Sequence, residues 1–171
     1  LTAIYEACEH LRRDECELAI AGGVNIYLHP SNYKAMSAQR MLSVDGKCKS
    51  FGESANGSVP GEGVGTVLLK RKSQAEQDGD HIYGLIRSAA INHGGKTSGY
   101  TVPNPNAQAE LIGKALSRAQ LDARMVSYIE AHGTGTALGD PIEIAGLSKA
   151  FAEHSESDAV GYCAIGSVKS N

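Results

Sequence analysis

The residues best suited to chemistry lie in one stretch, from Tyr128 to Glu143. A short apolar segment ends at His132, and Gly-Thr-Gly-Thr follows at 133–136. A neutral imidazole in such a loop can donate a hydrogen bond to an oxyanion that develops during a reaction, often the largest single catalytic contribution. The hydroxyls of Thr134 and Thr136 could hydrogen-bond the amides of an extended ligand, or could simply cap the backbone of a tight loop. A single histidine is more often structural than catalytic, and the loop after it is what makes His132 a candidate.

Lys169 is the second candidate. It follows the last predicted strand, which we expect to neighbour the strand before His132, so that both side chains would reach one edge of a sheet. An ammonium group at that edge would favour the neutral form of an imidazole through charge repulsion. Taken alone, the residue is more simply interpreted as a solvated lysine.

Alternating strands and helices must position these residues, which predicts an α/β fold with a largely parallel sheet. We predict helices over residues 1–13, near 31–38, over 111–119 and over 142–151, and strands over 17–24, within 59–70, and over 82–91, 125–131 and 162–168. Residues 74–79 are predicted to be a charged connection and residues 92–106 a loop. The helix after the His132 loop is expected to start with Asp140 as its N-cap, Pro141 in its first turn and Glu143 as a capping residue.

Glycine spacing leaves one alternative function open. The glycines at 133, 135 and 139 lie between a strand and a helix, as in a dinucleotide-binding fingerprint, but the third is one residue late. Acidic residues about twenty positions on (Glu153, Glu156 and Asp158) follow a helix, not a strand. The glycines at 61–65 precede a strand, so they do not fit a phosphate-binding loop.

Composition excludes several classes of function. The 171 residues carry a net charge of −3 with scattered charges and few aromatic residues, which argues against a nucleic-acid surface. No apolar run is long enough to span a membrane, and no signal peptide is evident. The four cysteines show no C-x-x-C spacing, and the other five histidines have no partner pattern. We therefore expect no metal site and a reduced, cytoplasmic protein.

Three motifs resemble one family. The sequence E-A-H-G-T-G-T-A-L-G-D-P-I-E at 130–143 is similar to ketosynthase domains of polyketide synthases, within the β-ketoacyl synthase and thiolase-like group. G-S-V-K-S-N at 166–171 resembles the family's lysine motif, and S-F-G-E-S-A-N-G-S-V-P-G-E-G-V-G at 50–65 its central glycine-rich stretch. Residues 91–108 look most like ketosynthases of modular synthases that take their acyltransferase in trans. The likeness covers the whole chain.

The resemblance implies a thiolase-like layered αβαβα fold, with residues 1–72 as the end of the N-terminal half and 80–171 as part of the C-terminal half. It also implies a decarboxylative Claisen condensation by a Cys-His-His set. The cysteine takes the growing acyl chain as a thioester, and malonyl on an acyl carrier protein loses carbon dioxide and attacks it. His132 would assist decarboxylation, Lys169 would support the histidines, and Thr134 and Thr136 would hold the phosphopantetheine arm.

No cofactor is expected on the domain itself. The expected partners are an acyl carrier protein, a second copy in a homodimer and a trans-acting acyltransferase.

The family's nucleophile segment, T-A-C-S-S-S, and its second histidine, in N-I-G-H, are expected just beyond the two ends of the chain. None of the present cysteines (Cys8, Cys16, Cys48 and Cys163) has the nucleophile's sequence context. We therefore expect a partial ketosynthase domain whose 171 residues are inactive alone. Two related functions stay open: a ketosynthase that transfers acyl chains without condensing them, and a degradative thiolase.

Overall fold

The computed structural model describes residues 1–97, 99, 102–156 and 160–171. It contains two compact units, one formed by Leu1–Ile26 with Gly61–Ile91 and the other by Tyr27–Pro60 with Asn92–Asn171. The helices are α1 (Thr2–Arg12), α2 (Ser31–Ala38), α3 (Lys72–Asp78), α4 (Pro105–Ala119) and α5 (Gly139–Glu153); the strands are β1 (Leu18–Asn25), β2 (Gly63–Lys70), β3 (Tyr128–Glu130) and β4 (Ala164–Gly166). Short 3₁₀ turns cover Ala123–Met125 and Val168–Ser170.

The first unit is built on an antiparallel pair of strands. β1 and β2 pair along their whole length, from Leu18 opposite Lys70 to Asn25 opposite Gly63. α1 has two buried residues, Ala7 and Leu11, which lie one turn apart. The predictions of α1, α2, β1 and β2 are confirmed, but the antiparallel pairing corrects the expectation of a largely parallel sheet.

Two further predictions in this unit are wrong. Residues 74–79 are not a connection, because α3 covers Lys72–Asp78 and ends at Gly79 in the left-handed conformation (φ 72°). The sequence of this helix has one apolar residue, Ala75, which is buried. It therefore lacks the apolar periodicity by which a helix is predicted. Within the residues that the structure describes, 82–91 form no strand, and Tyr83 is 96% exposed. An apolar run becomes a strand only where a neighbouring strand accepts its backbone hydrogen bonds.

The second unit contains a pair of packed helices. α4 begins at Pro105, where the side chain of Asn104 accepts the N–H groups of Asn106 and Ala107. α4 and α5 pack through small residues: a Cβ on Gly113 would lie 2.5 Å from the His154 ring, and one on Gly146 would lie 3.0 Å from the Gln108 side chain. No helix in the described part of the chain has the length and apolar character needed to cross a membrane.

The strands that matter for the candidate site are β3 and β4. They pair in parallel, with Tyr128 opposite Ala164 and Glu130 opposite Gly166, and the Ala131 N–H donates to the Gly166 carbonyl at 2.8 Å. The predicted strand neighbours are therefore confirmed, although each strand is shorter than predicted. Because the pairing is parallel, the segments after both strands emerge at the same edge.

Candidate active site

The His132 loop connects β3 to α5. The His132 side chain is exposed, while the backbone around it is held closely, because Gly133 and Gly135 are buried and both have positive φ (43° and 70°). A Cβ on Gly133 would lie 2.7 Å from the Cβ of Ser167, so only glycine fits at this point of the loop. The loop thus presents an accessible imidazole on a constrained backbone.

Glu143 holds this loop from the first turns of α5. Its carboxylate accepts the N–H of His132 at 2.7 Å and the N–H of Gly133 at 2.9 Å. The expectation that Glu143 caps its own helix is wrong, because both oxygens face the histidine loop. A carboxylate that receives two backbone donors fixes the direction in which the chain leaves β3.

Asp140 also has a different role from the predicted one. The helix starts at Gly139 after Leu138, so Asp140 lies inside its first turn, where the residue is 4% exposed. Its carboxylate accepts the N–H of Phe51 at 2.7 Å and that of Thr136 at 3.4 Å. The side chain ties together two segments 89 residues apart instead of capping the helix.

Residues 48–57 form a support for the histidine loop that the sequence did not predict. The Ser50 hydroxyl donates to the Gly133 carbonyl, the Cys48 thiol lies 3.8 Å from the same oxygen, and the Gly57 N–H donates to the Gly135 carbonyl at 2.9 Å. Phe51 has a positive φ of 58°, which is unusual for a side chain of this size. The signal that could have found this segment is the glycine-rich motif at 50–65, which carried the resemblance without indicating these contacts.

The two threonines lie together at the half-buried side of the loop. Their hydroxyls are 3.3 Å apart, and that of Thr136 accepts the N–H of Gly139 at 3.1 Å. Thr136 therefore does cap the start of α5, as the simpler of its two predicted roles requires. Ligand binding by Thr134 and Thr136 stays a prediction.

Lys169 lies in the turn that follows β4, at the same edge of the pair as His132. The Ser167 hydroxyl of this segment donates to the His132 carbonyl at 3.4 Å, and the Lys169 side chain is exposed. The structure therefore brings the histidine loop and the lysine turn together, as predicted. Their catalytic roles stay a prediction.

A carboxylate on β3 joins the two strands at this edge. Glu130 accepts the N–H of Val168 at 2.8 Å and the hydroxyl of Tyr128 at 2.7 Å. These donors hold the pKa of the Glu130 carboxyl below its usual value, and the charge of Lys169 lowers it further. The same hydrogen bond raises the pKa of the Tyr128 hydroxyl.

The geometry argues against a dinucleotide site in this loop. A pyrophosphate would need free backbone N–H groups in the glycine-rich loop and where the helix begins. Those of His132 and Gly133 in the loop already donate to Glu143, and that of Gly139 at the helix start donates to Thr136. Of the acidic residues that this alternative would use, Asp158 lies outside the described residues. In the part of the chain that the structure describes, no group of three or more metal-ligating side chains is found.

Comparison with known proteins decides the family. The family model for the β-ketoacyl synthase C-terminal domain matches residues 83–171, and the model for the N-terminal domain matches residues 1–75. The chain belongs to the β-ketoacyl synthase family. The predicted assignment of residues 1–72 to the N-terminal half of the fold and of residues 80–171 to the C-terminal half stays a prediction.

The similar proteins are polyketide synthases. The chain is 61% identical to polyketide synthase PksL of Bacillus subtilis (strain 168) and 55% identical to polyketide synthase ThaG of Burkholderia thailandensis, in each case over 171 residues and the whole of this chain. It spans only 4% of PksL and 3% of ThaG.

Solved ketosynthases have the same fold. An oxazolomycin ketosynthase domain, OzmH KS7 of Streptomyces albus JA3453, matches with 54% identity and a TM-score of 0.94. The ketosynthase from module 6 of the bacillaene synthase of Bacillus subtilis 168 matches with 46% identity and a TM-score of 0.96. These matches cover 99% and 100% of this chain, and 29% and 31% of the solved chains. The fold is therefore the thiolase-like α/β fold of ketosynthases, of which this chain spans a part.

Proposed function

We propose that the protein is part of a ketosynthase that elongates acyl chains by decarboxylative Claisen condensation in polyketide biosynthesis. It would act as an acyltransferase, joining a cysteine-bound acyl chain to a malonyl-type unit on an acyl carrier protein. The observation that supports this most directly is the parallel pairing of β3 with β4. The loop of His132 and the turn of Lys169 leave this pair at one edge, where Ser167 contacts the His132 carbonyl.

His132 would act in the decarboxylation step. Loss of carbon dioxide from the malonyl thioester leaves an enolate, whose oxygen needs a hydrogen-bond donor. The exposed imidazole on a backbone fixed by Glu143 suits this task, because a donor held in advance needs no rearrangement when the charge develops. Lys169 would add a positive charge close to the histidine.

Thr134 and Thr136 would contact the phosphopantetheine arm that carries the substrate. Both are half-buried beside the His132 loop, and the hydroxyl of Thr134 can still donate to an amide carbonyl while that of Thr136 accepts from Gly139. The domain would bind no cofactor of its own.

The proposed partners are an acyl carrier protein and a second copy of the ketosynthase in a homodimer. Residues 91–108 resemble ketosynthases without an acyltransferase in their own module. This resemblance supports loading of the extender unit by a separate, trans-acting acyltransferase. A reduced, cytoplasmic setting suits the four free cysteines.

A ketosynthase that only transfers acyl chains is the competing function. It would keep the acylated cysteine and the carrier-protein contacts but would not decarboxylate malonyl. A degradative thiolase is less well supported, since the His-Gly-Thr-Gly-Thr and lysine motifs follow the synthase pattern.

The experiment that tests the proposal separates the two half-reactions in the complete ketosynthase domain. Loading of an acyl group onto the nucleophilic cysteine is followed by intact-protein mass, and decarboxylation of malonyl carrier protein by release of carbon dioxide. His132→Ala is expected to lose decarboxylation and keep acyl loading. Loss of loading with unchanged decarboxylation would contradict the role of His132, and a parent domain that loads but never decarboxylates would favour transfer alone.

A further inference from the structure

Glu130 occupies the last position of β3, and its carboxylate connects that strand to the turn after β4. Oε1 accepts the N–H of Val168 at 2.8 Å, and Oε2 accepts the hydroxyl of Tyr128 at 2.7 Å. Residues 128 and 130 share one face of the strand, so the hydroxyl and the carboxylate meet directly. One carboxylate oxygen is thus held by β3 itself, and the other is directed at the neighbouring segment.

The hydrogen bond from the Val168 N–H to Glu130 lies beyond the backbone hydrogen bonds that pair β3 with β4. The two strands pair as far as Gly166, and Ala131 donates to the Gly166 carbonyl. Beyond that point, the Ser167 hydroxyl donates to the His132 carbonyl at 3.4 Å, and the Val168 N–H donates to Glu130 at 2.8 Å. The second bond is shorter and has an ionised acceptor, so it contributes more to holding this segment.

Val168 begins the turn that contains Lys169. Val168, Lys169 and Ser170 form the 3₁₀ turn, and the Ser170 hydroxyl donates to the Ser167 carbonyl at 2.8 Å. Anchoring the first N–H of so short a turn holds the backbone from which the Lys169 side chain projects. The charge of Lys169 also contributes to the lowered pKa of the Glu130 carboxyl, after the hydrogen bonds from Val168 and Tyr128.

From this geometry we propose that Glu130 is a positioning residue for Lys169, acting through its hydrogen bond to the Val168 N–H. The inference rests on the proposed function, because it assigns Glu130 a part in the same decarboxylation step. Glu130 need not touch the substrate: it sets where the lysine charge stands relative to the histidine loop.

Three substitutions in the complete ketosynthase domain separate the hydrogen bond from the charge. Glu130→Ala removes the acceptor. Glu130→Gln removes the charge but keeps both contacts, since its carbonyl accepts from Val168 and its amide can donate to the Tyr128 oxygen. Tyr128→Phe removes only the bond within β3 and serves as the matched control.

We expect Glu130→Ala to lower kcat for malonyl decarboxylation about 10- to 100-fold, the loss typical of one hydrogen bond to a charged group. KM and acyl loading should change less than about twofold, because the turn is not assigned to either process. Tyr128→Phe should stay within about threefold of the parent kcat, and Glu130→Gln should fall between the parent and Glu130→Ala, because a neutral acceptor keeps the bond to Val168 at about half its strength. A residue with a merely structural role would lower folded yield and acyl loading along with kcat. A fall in kcat with unchanged acyl loading therefore distinguishes positioning from a structural role.

The inference is overturned if Glu130→Ala decarboxylates at the parent rate, if Glu130→Gln is as impaired as Glu130→Ala, or if acyl loading falls in parallel. His132→Ala, measured beside these variants, separates the two ideas. If it keeps decarboxylation, the proposed function itself fails. If it loses decarboxylation while Glu130→Ala does not, only the role of Glu130 fails.

Discussion

Removal of the Glu143 carboxylate should damage the candidate site through the backbone of the histidine loop. The side chain accepts two N–H groups, at 2.7 Å from His132 and 2.9 Å from Gly133. A hydrogen bond to a charged group contributes about 1.5–3 kcal/mol, and the lower figure suits a half-buried carboxylate. Two such bonds give about 3 kcal/mol for holding the loop, which corresponds to about a 100-fold change in rate if all of it serves the productive geometry.

The assay is malonyl decarboxylation by the complete ketosynthase domain. We expect Glu143→Ala to lower kcat about 100-fold and Glu143→Gln about 10-fold, because the amide retains one acceptor oxygen and turns a donor toward the second N–H. Acyl loading should be preserved. Glu153→Gln, at the exposed other end of α5, is the matched control and should leave the rate unchanged.

The result that would refute this reasoning is a folded Glu143→Ala variant that decarboxylates within about threefold of the parent. It would mean that the loop keeps its shape without the carboxylate. Unfolding temperatures of all three variants show whether a lost rate reflects the loop or the whole domain.

Two further predictions concern stability. Gly133→Ala should lower the unfolding temperature more than Gly161→Ala: both positions have positive φ, but a Cβ on Gly133 would meet Ser167 at 2.7 Å whereas one on Gly161 would meet nothing within 4 Å. Equal losses would show that the backbone conformation alone matters and that the loop can shift away from Ser167. The side chain and the N–H of Arg124 hold the pKa of the Asp122 carboxyl at about 2, below its usual value. Because the folded pKa is the lower one, the stabilisation is present above about pH 4 and is lost as the pH falls toward 2. The difference in unfolding temperature between the parent and Asp122→Asn should therefore shrink over that interval, and a constant difference would contradict the assignment.

The sequence predicted the placement of the candidate site better than its supports. His132 and Lys169 each follow a short apolar run, and two such runs in an α/β chain tend to become parallel neighbours, which β3 and β4 are. This inference needs only local patterns and one rule of topology. The same reasoning located α1, α2, α5 and the first two strands to within a few residues.

The supports could not be predicted because they depend on contacts between distant segments. Asp140 before a proline has the local pattern of an N-cap, yet the carboxylate is used by Phe51, 89 positions earlier. Glu143 likewise serves the histidine loop instead of its own helix. Where a distant backbone group offers a side chain a stronger hydrogen bond than its own helix does, local propensity predicts the wrong role for that side chain.

The two remaining errors, in α3 and in residues 82–91, have different causes. α3 is stabilised by pairs one turn apart, Lys72 with Glu76 and Gln74 with Asp78, and by a left-handed glycine at its end, with little apolar periodicity to reveal it. Residues 82–91 have the composition of a strand, but pairing depends on a neighbour that the pattern of the run itself cannot specify.

The central claim is that the histidine loop and the lysine turn form one site for decarboxylation. A double-mutant cycle of His132→Asn and Lys169→Gln in the complete ketosynthase domain, read out as kcat/KM for malonyl decarboxylation, tests it most directly. If the two side chains act together, the effects should fall short of additivity by about 1 kcal/mol or more. Effects that add fully would contradict a shared site at the edge of β3 and β4.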